Sequence, residues 1–352
     1  MNASAYIRNF ENRQSQRGLS MIEMMISITI GLLILSALTT LFANQSKTRG
    51  ELDKANRLID NGRYALEVLS ENLRVAGFYG TLDPSSIAVG AIPDPCSTNM
   101  AAIAVAIPFH VQGYDAVDAT TATTSPPSCV PGTIKTGSDI LVVRRVDTST
   151  AVAQASAVAG TPYLQASQCQ YAPDTTTLYK VDSVPANFTL RQRNCTTTST
   201  TPYAELRRMM VQIYFIDSDN QAGDGIPTLK RIELSDTGTM TAADIKPLVE
   251  GIEFMQVDYG LDTTGDGVAD SYTTCSACTA TDWSNVVSVK ISVLARNIET
   301  STGHTDTKTY ALGGPPAAPI TFTPAAGDHY KRHAYTQVVR LVNPSGRREV
   351  VP

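Results

Sequence analysis

From Leu19 to Gln45 the chain carries one charge, Glu23. A run of that length crosses a bilayer core of roughly 30 Å as a helix of about 20 residues. It limits the fold more than any other stretch, because whatever follows must fold beyond an apolar helix. Arg8, Arg13 and Arg17, against Glu11, precede the run. Basic residues on that flank hold it in the cytoplasm and direct the rest of the chain outward. A secretory signal fits poorly, since its apolar core is shorter and its small-residue cleavage site follows that core. Here the suitable cut, Gly18–Leu19, comes before the run and leaves the apolar helix on the mature chain. Glu23 is costly inside such a segment unless it finds a partner or lies at the headgroup level.

The helical pattern continues past the apolar run. Leu52, Ile59, Leu66 and Leu73 recur every seven residues, and Ala55, Gly62, Leu69 and Ala76 fill the intermediate positions. Lys54, Arg57, Asp60, Arg63, Glu67, Glu71 and Arg74 take the other faces. This is a heptad-like stripe on a charged helix, with Gly77 as a natural stop. A membrane anchor followed by a coiled-coil stalk would show the same pattern.

The stretch RGLSMIEMMISITIGLLIL at 17–35 resembles the class III signal of type IV pilins and pseudopilins. The resemblance implies cleavage after Gly18 by a prepilin peptidase and N-methylation of Leu19. Glu23 is then the fifth residue of the mature chain, the place where that family carries a glutamate. By the same resemblance, Glu23 pairs with the amino terminus of a neighbouring subunit during fibre assembly. Such a pair would neutralise two buried charges and set the axial register. Leu19 departs from the usual Phe, and Thr40 stands where many major pilins have proline.

After Gly77 the chain turns to short β-like runs. Thr is abundant and favours strands and turns. Strands are expected at Ile140–Val146, around Met209–Phe215, at Leu229–Leu234, Ile252–Tyr259 and Val286–Ala295, with Gln337–Val342 as the last. Alternation at 209–215 points to a half-buried strand, hairpinned to the next through a Gly/Asp/Pro turn. Residues 115–135, 147–175 and 196–204 read as loops or weak strands. The expected fold class is α+β: a long N-terminal helix on a mainly antiparallel β-sheet domain with long loops. The expected divisions are a leader at 1–18, a membrane-spanning or fibre-core helix at 19–43, its amphipathic continuation at 44–77, and a periplasmic β-rich domain at 78–352.

Several phrases resemble the PilW group of minor pilins: NGRYALEVLSENLRVAGFYG at 61–80, YFIDSDNQAGDGIPTLKRIEL at 214–234, LVEGIEFMQVDYGLDTTGDGVAD at 248–270 and VVSVKISVLARN at 286–297. Residues 81–204 carry little of this likeness. The resemblance implies a pilus-priming role at or near the fibre tip. The implied partners are other minor pilins, the major pilin, a PilY-type tip adhesin, the prepilin peptidase and the inner-membrane assembly platform. It implies no enzyme activity.

All six cysteines, Cys96, Cys129, Cys169, Cys195, Cys275 and Cys278, follow the apolar run. If that run exports them, they meet an oxidising compartment. Neighbours in sequence suggest 96–129, 169–195 and 275–278, although many connectivities are open to six cysteines. Cys275–Ser–Ala–Cys278 has the spacing of a zinc half-site or a redox motif, but lacks a partner pair and a βαβ setting. A local disulfide is the favoured reading. In LDTTGDGVADSY, Asp262, Thr264, Asp266, Val268 and Asp270 match the first ligand positions of a calcium loop, with Gly267 at its turn. Thr273 stands where the bidentate glutamate should be, so any Ca2+ site would be weak, and a turn closed by Asx hydrogen bonds is favoured. A second acidic turn, Asp217, Asp219 and Asp224, matches the pattern less well. No other cofactor is expected.

The net charge of −5 provides no basic stripe for nucleic acid. No phosphate loop, nucleophile elbow or paired-histidine metal helix is present in the sequence. The expected function is that of a minor type IV pilin, first in the inner membrane and then in the fibre. The alternatives are a minor pseudopilin of a type II secretion system and a membrane-anchored exported enzyme or sensor.

Overall fold

The computed structural model describes residues 18, 20–116, 118–172, 174–315 and 318–349. Two compact units divide at Asp53/Lys54. Helix α1 runs Met21–Arg74. In the first unit its residues are exposed up to Gly50. The hydroxyls of Ser27, Thr29, Thr39, Thr40 and Thr48 donate back to carbonyls three or four residues earlier. These five hydroxyls are thus satisfied within the helix, which suits them to a lipid environment.

The second unit begins within α1. It continues with α2 (Met100–Val105), β1 (Val111–Tyr114), β2 (Ile140–Val146), β3 (Tyr163–Ala166), β4 (Tyr179–Asp182) and β5 (Leu206–Asp217). Then come β6 (Thr228–Glu233), β7 (Ile245–Glu250), β8 (Ile252–Leu261), β9 (Ser271–Thr273) and α3 (Ala280–Ser284). The chain closes with β10 (Val286–Arg296), β11 (Tyr310–Gly313), β12 (Ile320–Phe322), β13 (Arg332–Arg340) and α4 (Val342–Arg348). Every strand pairing is antiparallel. Seven strands form one sheet with the path β1-β2-β5-β3-β4, extended by β6 on β5 and β7 on β6. Four more form a second sheet, β13-β10-β8-β9, and β11 pairs with β12. The molecule is α+β, as its residue pattern implies.

Three expectations need correction. The last strand, expected at Gln337–Val342, spans Arg332–Arg340, and Val342 opens α4. The strand around Met209–Phe215 is buried on both faces rather than one. Tyr214 and Ile216 join the core that includes Leu66, Leu69 and Leu73 of α1, while Met209, Val211, Ile213 and Phe215 join a second core with Ile103 and Ile107. Burial on both faces follows from the central place of β5, which pairs with β2, β3 and β6. The heptad reading of α1 also shifts. Leu52 is 57% and Ile59 39% exposed, whereas Leu58, Gly62, Ala65, Leu66, Leu69, Ser70 and Leu73 are buried. A straight α-helix repeats every 3.6 residues, so a face packed on a flat core drifts from a strict seven-residue stripe. This part of α1 is a core helix of the second unit, not a stalk.

Gly62 lies at the crossing of α1 and β13. The Tyr335 ring occupies the space a side chain at Gly62 would need. Gly77, at φ +69°, turns the chain away after the helix, and its N–H donates to the carbonyl of Arg144.

Candidate functional site

The front of α1 holds the residues singled out for processing and assembly. Gly18 is exposed and non-helical, with nothing within 4 Å of a would-be Cβ. Leu19 lies outside the described residues. Glu23, in the first turn of α1, accepts a hydrogen bond from the Ser20 N–H at 3.2 Å. Negative charge suits a helix N-terminus, whose first N–H groups lack partners. Glu23 has no cationic partner among the described residues. By length and composition α1 can cross a membrane.

The cysteines close three loops in the second unit: Cys96–Cys129, Cys169–Cys195 and Cys275–Cys278, with Cα separations of 5.5, 5.8 and 4.7 Å. The last sits directly before the N-cap Thr279 of α3, whose hydroxyl accepts from the Asp282 N–H. Cys275 takes φ +59° in the tight turn.

In the acidic loop, Asp262 Oδ1 accepts from the Gly265 N–H at 2.6 Å and Oδ2 from the Gly267 N–H at 2.9 Å. Arg348 lies 3.4 Å away. Desolvation opposes ionisation of Asp262, but the Gly267 and Gly265 N–H groups and Arg348 together hold its pKa below the usual carboxylate value. Asp270 accepts from the Thr263 hydroxyl and N–H, which also keep it low. Asp266 accepts from the Val268 N–H, and the Thr264 hydroxyl lies 3.4 Å from both Asp262 and Asp270. Each of these carboxylates accepts at least one hydrogen bond from the turn itself. No trio of metal-ligating side chains gathers among the described residues. The second turn is built alike, with Asp219 accepting from Gly223 and Gly225, and Asp217 paired to Lys230 at 2.9 Å.

The structure adds two buried ionic knots. Arg332, with 1% of its side chain exposed, donates to Glu253 at 2.5 Å, Asp306 at 3.0 Å and Asp328 at 2.7 Å. Desolvation opposes its charge, but the hydrogen bonds it donates to these three carboxylates outweigh that and raise its pKa. The knot fastens the 306–328 segment to the four-stranded sheet. Arg191 pairs with Asp174 and donates to the carbonyls of Tyr171, Ala172, Thr196 and Ser199, which organises the loop closed by Cys169–Cys195. Asp328 and Arg332 are only four residues apart, but Glu253 and Asp306 lie 79 and 26 residues from Arg332 and Asp174 lies 17 from Arg191, too far for local pattern to join them.

Residues 213–343 match the family described as Type IV Pilus-assembly protein W. Residues 13–39 match the prokaryotic N-terminal methylation motif. No curated protein matches the chain. Among solved structures, a type IV-like pilin from Thermus thermophilus aligns at a TM-score of 0.35 and 10% identity, over 82% of this chain and 97% of that one. The methylation motif covers the cleavage pattern and most of the apolar run, while the pilus-assembly match covers β6 to β13 and the acidic loop. With that motif at its front and that module behind it, the chain is PilW-like over those two stretches, which together span less than half of its length.

Proposed function

We propose that this protein is a minor pilin that helps prime type IV pilus assembly and is incorporated at or near the fibre tip. In this reading a prepilin peptidase removes residues 1–18 and methylates Leu19. Residues 19–43 hold the protein in the inner membrane and later in the fibre core, 44–77 continue the helix, and 78–352 form the periplasmic domain. Glu23 meets the new amino terminus of a neighbouring subunit. Its partners are the other minor pilins, the major pilin, a PilY-type adhesin and the assembly platform.

One observation carries the reading: a methylation motif containing Gly18 and Glu23 stands ahead of a PilW-type module on the same chain. No enzymatic step is needed. The role is to present charge and surface to other subunits.

The test is intact mass and N-terminal analysis of protein from membranes of cells with an active prepilin peptidase. The mature chain should begin at N-methylated Leu19, and Gly18→Val should leave the leader in place. A wild-type chain that keeps Met1 under those conditions would overturn the pilin reading. Normal processing alongside unchanged pilus number in a deletion strain would overturn the priming role.

A further inference from the structure

The four-stranded sheet ends at β13, and no strand pairs with its outer edge among the described residues. The register of β13 on β10 runs unbroken from Arg340 to Arg332. At its two ends Leu341 N–H donates to the Val287 carbonyl and Asn297 N–H to the Lys331 carbonyl. Antiparallel pairs alternate between bonded and unbonded. The odd-numbered residues of β13 therefore bond to β10. The even-numbered ones, Arg332, Ala334, Thr336, Val338 and Arg340, direct their N–H and C=O groups outward. The edge has no proline and no bulge, the usual devices that blunt such a strand.

Beside this edge lies a cavity of about 380 Å³. Ile59 and Arg63 of α1 line it from one face of β13, Lys308 and Tyr310 from the other, and His333 and Tyr335 lie between them. Because its walls come from both faces, the cavity opens at the strand edge. Arg63 and Lys308 have no ion-pair partner among the described residues. The chain as a whole is acidic, at −5, so a basic groove here is a local departure.

We infer that the β13 edge binds an extended, carboxylate-bearing segment of another protein chain by strand addition. Outward backbone groups on alternate residues supply the pairing, and Arg63 and Lys308 select acidic side chains. This goes beyond the assembly role and does not depend on prepilin processing.

The test uses the full chain in detergent micelles. The probe is a fluorescein-labelled decapeptide of alternating Val and Glu, with its Val/Lys counterpart as control. The Glu peptide should bind and slow hydrogen exchange in 332–340, and the Lys peptide should bind at least about tenfold more weakly. Val338→Pro removes one outward N–H, leaves the ladder to β10 intact, and should weaken binding about tenfold with an unchanged circular dichroism spectrum. Lys308→Glu should weaken the Glu peptide and strengthen the Lys peptide, and it carries the test alone if the proline variant misfolds. Absence of Glu-peptide binding, equal binding of both peptides, or full binding by a folded Val338→Pro protein would each overturn the inference. None of these outcomes bears on cleavage at Gly18.

Discussion

Two residues show how one position can govern a much larger contact. Gly62 has no side chain, so Tyr335 can lie against the helix backbone. Gly62→Ala would favour the helix by about 1 kcal/mol. It would also place a methyl group inside the ring, and such overpacking costs roughly 1–3 kcal/mol. The clash should win. Urea unfolding of the variant should show a lower midpoint, and an unchanged or higher one would mean that Tyr335 yields freely. His110 behaves differently. Its ring is buried, with Nε2 2.6 Å from the Val286 carbonyl. Burial, reinforced weakly by Arg348 and Arg347, lowers its pKa from 6.5 to about 4. The unfolded chain takes up this proton near pH 6.5 and the folded chain only near pH 4. Stability is therefore independent of this group above about pH 6.5, falls as pH drops to about 4, and is flat below. The full loss is on the order of 3 kcal/mol. Unfolding free energies at pH 7 and pH 4.5 should differ less in His110→Asn than in the wild type.

At the scale of elements, the disulfides divide by loop length. Cys96–Cys129 and Cys169–Cys195 have sequence separations of 33 and 26, and Cys275–Cys278 a separation of 3. Loop-closure entropy gives about 3–4 kcal/mol for each long loop and about 2 kcal/mol for the short one. Paired Cys→Ser variants should lose stability in that order, the 275/278 pair least, as read by thermal unfolding without reductant. Element boundaries were legible where side-chain alternation met a turn. The expected strand at Ile140–Val146 is β2 with the same limits. The last strand was expected at Gln337–Val342, but β13 spans Arg332–Arg340 and Val342 opens α4. Local pattern fails there for a physical reason. Arg332 reads as a surface residue until Glu253, Asp306 and Asp328 surround it.

For the whole molecule, assembly should depend on the Glu23 carboxylate, which has no cationic partner among the described residues. Glu23→Val removes that charge in an exposed apolar helix and touches none of the core. Cleavage at Gly18 should proceed as in the wild type, while incorporation into sheared pili and the number of surface pili should fall severely. Wild-type pili in that strain would refute a role for Glu23 in subunit pairing. The second unit should be unaffected, since its unfolding rests on contacts from Leu58 onward.

By itself the sequence determined the apolar helix, the methylation motif at its front, the position of Glu23 and the α+β character. Each rests on neighbours in the chain or on a short period, and a helix or strand imposes its spacing locally. Tertiary structure decided which face of α1 is buried, that β5 is covered on both sides, that the acidic loop is closed on itself, and where Arg332 and Arg191 find their partners. These depend on segments brought together from distant parts of the chain, where packing and desolvation choose among contacts that local sequence leaves equally open.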